Sequence, residues 1–227
     1  MANSNNIDKF GAPIVYFENE GRQNLDEVIK IVKRILKKRE ELRPLKIVFF
    51  TAFGEGPALA YSKFAEFAPA IIAVTFPRTF VIKRDQEWVH PQISENISRF
   101  FAGVGIEILV PQSLPFDTIE GMEAHNQQVN LVKDTLSIFG GGFSLCIQAV
   151  LRACDAGLIQ TGDLVIGISG DTAGTFRAST TQCFLAKSNG IVVEEIFCKP
   201  RKLTITRSKP ELKKLIEGEV SNSQLQR

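Results

Sequence analysis

LKIVFFTAFGEGPALAYSKFAEFAPAIIAVT, residues 45–75, is the stretch whose reading decides the fold. Its first six residues are apolar apart from Lys46, which is the length and character of a strand buried on both faces. A turn of small residues, TAFGEGP, follows, and residues 58–67 return as a helix with Pro57 suited to its first turn. AIIAVT, residues 70–75, is a second buried strand. Strand, helix and strand in this order make a crossover unit, so the two strands are expected to lie parallel.

The alternation continues on both sides. Upstream, residues 13–17 (PIVYF) read as a first strand. Asn24 and Glu27 then stand three apart, the spacing of a capping box, before a helix carrying Leu25, Val28, Ile29, Val32, Ile35 and Leu36 on one face. Downstream, residues 76–91 form a polar and aromatic loop with Arg78, Lys83, Arg84 and Trp88. Residues 93–101 read as a helix and 105–110 as a strand. Two helices, 122–139 and 143–156, are separated by Gly140, Gly141 and Gly142, and Gly157 has the place of a C-cap. Residues 163–169 (DLVIGIS) form another buried strand. Residues 180–186 and 191–197 have strand character around Ser188-Asn189-Gly190, a hairpin signal. From Pro210 a short amphipathic helix and a polar tail are expected. The predicted architecture is α/β and three-layered, with a mostly parallel sheet flanked by helices and a C-terminal antiparallel hairpin. Residues 1–207 make one domain on this reading, and 208–227 the helix and frayed tail.

Bulk composition narrows the function classes. The 227 residues are 44% hydrophobic and 23% charged, with a net charge of +2, so no strong field favours nucleic acid or a membrane surface. Apolar runs stay well below the roughly 20 residues that span a bilayer, and the polar start MANSNNIDKFGAP is unlike a signal peptide. A cytoplasmic location is expected. The cysteines Cys146, Cys154, Cys183 and Cys198 form no CxxC pair, and His90 and His125 are the only histidines. Reduced, buried thiols are therefore expected, and no metal site.

Two loops have the composition of anion-binding turns at strand ends. The first is Thr51-Ala52-Phe53-Gly54-Glu55-Gly56, and the second is Ser169-Gly170-Asp171-Thr172-Ala173-Gly174-Thr175. Glycine lets the main chain approach an anion, threonine hydroxyls donate, and Arg177 adds a charge-assisted contact. Thr75, at the end of AIIAVT, belongs with the same strand ends. A third candidate is the helix start at Gly142, with Ser144 as N-cap or ligand. GxxxxGK[ST], GxGxxG and GxSxG are all absent. Glu18, Glu20, Glu55 and Asp171 are carboxylates that reach a pocket only if the fold brings them together.

The segments 51–75 and 156–182 (AGLIQTGDLVIGISGDTAGTFRASTTQ) resemble, in matching order, two blocks of the pyruvate kinase carboxy-terminal domain. YFENEGRQNLDEVIKIV (16–32) and GGGFSLCIQAVLRACDAGLI (140–159) are similar to small stand-alone proteins of that fold, mostly archaeal and uncharacterised. The catalytic lysine and metal ligands of the enzyme belong to a barrel absent here, so the resemblance implies no pyruvate kinase activity. It implies instead subunit contacts, hence a homo-oligomer, and a phosphate site at residues 51–56 helped by residues 170–175. Two hydroxyl residues of the family turn are replaced by Phe53 and Gly56, which disfavours a sugar bisphosphate. A phosphate attached to a planar ring suits Phe53, with Phe76 and Trp88 as further stacking surfaces. The expected ligand is flavin mononucleotide (FMN) or a similar nucleotide. A flavin-dependent or other small-molecule enzyme, and a structural or oligomerisation protein, stand as alternatives.

Overall fold

A computed structural model of the protein describes residues 13–42, 46–84, 87–117 and 121–206. In chain order, β1 (Val15–Asn19) leads through a short 3-10 turn into α1 (Leu25–Lys38), then β2 (Lys46–Phe50), α2 (Glu55–Lys63) and β3 (Ala70–Val74). A small hairpin of β4 (Ile82–Arg84) and β5 (Glu87–Val89) precedes α3 (Glu95–Val104) and β6 (Glu107–Leu109). Two consecutive helices, α4 (Glu123–Ser137) and α5 (Gly141–Asp155), lead to β7 (Leu164–Ile168), β8 (Ala173–Arg177) and β9 (Val192–Lys202).

The decisive stretch folds as its composition predicts. β2 and β3 pair in parallel from Lys46 opposite Ala70 to Phe50 opposite Val74. The seven-stranded sheet runs β1-β9-β8-β7-β2-β3-β6. From β2 the chain steps outward to β3 and β6, then returns through α4 and α5 to place β7 on the other side of β2. The strand order therefore reverses between β2 and β7, and at such a point the crossover helices leave a crevice at the carboxyl ends of the strands.

Both sheet faces are covered. Along β2, Ile47 and Phe49 enter a core with Val28, Val32, Ala60 and Phe101 of α1, α2 and α3, while Val48 and Phe50 enter the core containing Cys146, Ile147 and Val150 of α5. Alternate residues of one strand thus feed two cores, which makes three layers. Each such buried Val, Ile or Phe contributes about 1.5–3 kcal/mol.

Several local expectations change. Asn24 makes no side-chain cap to α1; it is already helical, at the end of the 3-10 turn. Its Nδ2 donates instead to the carbonyls of Asn19 (2.8 Å) and Gly21 (3.1 Å). Ala173, Gly174 and Thr175, read as the end of a loop, instead open strand β8, antiparallel to both neighbours. The glycines of β7 and β8 have packing reasons: a β-carbon on Gly167 would stand 2.6 Å from the Phe176 ring, and one on Gly174 would stand 2.3 Å from the Glu195 carbonyl. The antiparallel C-terminal pair is therefore β8 with β9, and residues 180–186 form turns rather than a strand. There the Asp155 carboxylate accepts from Thr181 N (2.8 Å) and Thr181 Oγ1 (2.6 Å), while Ser179 Oγ donates to Asn189 O (2.6 Å). These contacts tie residues 179–190 to the end of α5 and supersede the expected Asn-Gly hairpin. The helix from Pro210 and the polar tail fall outside the described residues.

Candidate functional site

The carboxyl ends of β1, β2, β3, β7 and β9 open on one cleft of about 550 Å³. Its walls are apolar: Leu25, Phe49, Phe50, Phe53, Phe76 and Leu145. Its mouth carries Arg22 and Glu55, an exposed ion pair at 3.4 Å, and Thr206 with Ile205 closes one side.

The turn after β2 is built by one hydroxyl and one glycine. Thr51 N donates to Val74 O at 2.9 Å, and Thr51 Oγ1 accepts from Gly54 N at 3.0 Å. Gly54 takes φ +91° as the N-cap of α2, where a β-carbon would stand 2.9 Å from Ile97. The α2 ladder begins with Ala58 N donating to Gly54 O (3.2 Å), and Pro57 has no N–H, so the amides of Glu55 and Gly56 precede the ladder. A β-carbon on Gly56 would stand 3.1 Å from the Phe49 ring. Thr51, Ala52, Phe53, Glu55 and Gly56 all line the cleft, and Gly54 supports them from behind.

The turn after β7 does something different. Ser169 N donates to Thr172 O at 2.9 Å, closing a tight connection from β7 into β8. Ser169, Gly170 and Asp171 line the cleft. Asp171 is 6% exposed; its Oδ2 accepts from Gly21 N (2.8 Å) and its Oδ1 from Thr172 Oγ1 (2.9 Å). Burial pushes its carboxyl above the usual aspartate range; the Gly21 and Thr172 hydrogen bonds oppose this, and the charge of Glu20 adds to it. A β-carbon on Gly170 would stand 3.3 Å from Arg22 Cα, so this glycine lets the turns after β1 and β7 pack together.

At the start of α5 the N-cap is Gly140 at φ +111°, and Ser144 makes no cap. Gly141 N donates to Thr206 Oγ1 (2.8 Å) and to Glu20 Oε1 (3.3 Å), and Glu20 also accepts from the backbone N–H (2.9 Å) and the hydroxyl of Thr206. The positive end of the α5 dipole is thus met by an internal carboxylate, 5% exposed. Gly142 lines the cleft, while Ser144 is buried and accepts from Gln148 Nε2 at 3.4 Å.

The remaining expected residues lie elsewhere. Thr75 is buried, donating through N to Leu109 O (3.0 Å) and through Oγ1 to Pro91 O (3.5 Å). Thr172, Ala173, Gly174 and Thr175 are buried behind the cleft wall. Arg177 stands at the far end of β8, opposite Leu164, and pairs with Glu194 at 2.6 Å. Trp88 is 41% exposed on β5 and does not line the cleft. Phe76 does, with Phe80 stacked on it at 4.5 Å and Phe50 edge-on at 4.7 Å. Glu20, Gly21, Arg22 and Thr206 complete the site, brought in by strand order rather than by any local motif, with Gly141 beside Gly142 at the start of α5.

All four cysteines are free; burial raises the thiols of Cys146 and Cys154, and that of Cys198 to about 12. Among the described residues there is no cluster suited to a metal ion, and no helix is long and apolar enough to cross a membrane. The chain matches no protein-family model.

Proposed function

We propose that this protein binds a phosphorylated small molecule in the cleft, with FMN or a similar nucleotide as the leading candidate, and that it lacks pyruvate kinase activity. The observation that carries this is the start of α2: two amides ahead of the helical ladder, a left-handed glycine behind them, and Arg22 at the mouth, all on one cleft. Helix amino termini of this form accept phosphate through N–H donors and the dipole. The competing sites are weaker, because the start of α5 is met by Glu20 and the turn after β7 carries Asp171. Phe53 and Phe76 among the cleft walls suit an aromatic ring, and the volume falls in the range of small-molecule pockets. The test is thermal denaturation of purified protein with FMN, AMP and fructose 1,6-bisphosphate, with absorbance recorded for a bound chromophore. FMN is expected to raise the midpoint most; a colourless protein moved by none of them refutes the proposal.

Self-association is a second reading, favoured by a specific surface. Leu131 and Ile138 beside α4's exposed side are 69% and 61% exposed, Leu185 is 76% exposed, and an apolar groove of about 650 Å³ runs past Phe139, Phe184 and Leu185. Apolar exposure on this scale fits a partner surface. Light scattering at the mass of a dimer or larger is the expected result, and a monomer at every concentration removes this reading.

A further inference from the structure

Four polar side chains that line the cleft are more than nine-tenths buried: Ser169 at 3%, Glu20 at 5%, Asp171 at 6% and Thr51 at 7% exposed, the last engaged by Gly54 N. The carboxylates of Glu20 and Asp171 are held by the N–H and O–H donors described above. Ser169 is different, because its Oγ has no hydrogen-bond partner. The Cys146 thiol is beside it, near enough for the hydroxyl to favour the thiolate, but that thiol's own aligned contact is to Thr172 O at 3.8 Å. A buried hydroxyl without a partner is uncommon, and binding sites are one place where it occurs.

The surroundings of Ser169 are shaped by Gly142. A β-carbon at Gly142 would stand 2.1 Å from Asp171 Oδ1, 2.6 Å from Ser169 Oγ and 2.8 Å from Thr172 Oγ1. Glycine in the first turn of α5 therefore allows a donor hydroxyl and an acceptor carboxyl to converge at the cleft floor, both on lining residues.

We infer that Ser169 and Asp171 engage a hydroxyl of a polyol or sugar portion of the ligand, which makes the ligand a polyol monophosphate rather than a bisphosphate. This rests on the reading that the phosphate lies at the start of α2. A ligand hydroxyl answers both groups, accepting from Ser169 and donating to Asp171. A second phosphate at the floor would instead meet two carboxylates, neither of which is ion-paired among the described residues. Like charges brought together in a partly buried site repel strongly.

Calorimetric titration of the full chain with FMN, riboflavin, lumiflavin and fructose 1,6-bisphosphate tests this. Riboflavin lacks the phosphate, and lumiflavin lacks the polyol chain as well. Riboflavin is expected to bind at least about tenfold tighter than lumiflavin, the value of one good hydrogen bond. Ser169→Ala should remove most of that factor while leaving lumiflavin affinity unchanged. Equal affinity of the wild-type protein for riboflavin and lumiflavin overturns the assignment without reference to any variant. So does fructose 1,6-bisphosphate binding as tightly as FMN. Riboflavin binding as tightly as FMN, with the Ser169 effect intact, overturns the phosphate placement and leaves the floor assignment standing. Binding of none of the four overturns both.

Discussion

Asp171 sits behind Gly21 and Thr172 with its carboxyl raised above the ordinary aspartate value of 3.8, and burial is the largest cause. The sign of its pH effect follows. A folded-state value above the unfolded one gives a contribution fully present below the unfolded value and lost as pH rises through the raised one. Ionisation of this side chain therefore works against the fold, and the loss grows as the pH rises above the ordinary aspartate value. Asp171→Asn keeps an acceptor for Gly21 N and gives Thr172 Oγ1 a donor, so it should raise the melting temperature at pH 7 by a few degrees. That advantage should shrink to nothing as the pH falls below about 3.8, the ordinary aspartate value. Thermal denaturation of both proteins across pH decides it; a variant less stable at pH 7 and equally so in acid would contradict the assignment. The residue type was visible in the sequence as a loop aspartate. Its burial was not, because burial comes from the turn after β1, 150 positions away in the chain.

Among the elements, α1 shows how a local signal is overridden. The spacing of Asn24 and Glu27 matches a capping box, yet Asn24 fastens the 19–21 turn and Glu27 meets Lys30 (3.1 Å) and Arg34 (3.5 Å) on the surface. Asn24→Ala should cost about 1–2 kcal/mol through two lost hydrogen bonds, and Glu27→Ala no more than about 0.5 kcal/mol. A capping box would make the two losses similar, so chemical denaturation of both variants separates the accounts. β2, β3 and β7 were legible because strands buried on both faces are continuous apolar runs. β8 was not, since AGTFR looks like a turn until Phe176 is laid over Gly167. Residues 180–186 failed in the opposite direction: β-branched composition suggests a strand, but Asp155 captures Thr181 before a ladder forms.

For the whole molecule, the α/β class and the mostly parallel sheet were carried by the alternation of segments, and the site by where strand order reverses. The turn at residues 51–56 was recognisable by composition, whereas Glu20 and Thr206 come together, on Gly141 at the start of α5, only because β1 and β9 are neighbours at the end of the sheet. That convergence leaves the start of α2 with the exposed Glu55, turned to Arg22 at the mouth, whereas the start of α5 is already met by the buried Glu20. The claim that α2 receives a phosphate is tested most directly by comparing FMN with riboflavin in calorimetric titration of the full chain. The account predicts saturable one-to-one binding of FMN, at least about tenfold tighter than riboflavin, as a charge-assisted phosphate contact requires. Equal affinities, or no binding of FMN, would contradict it.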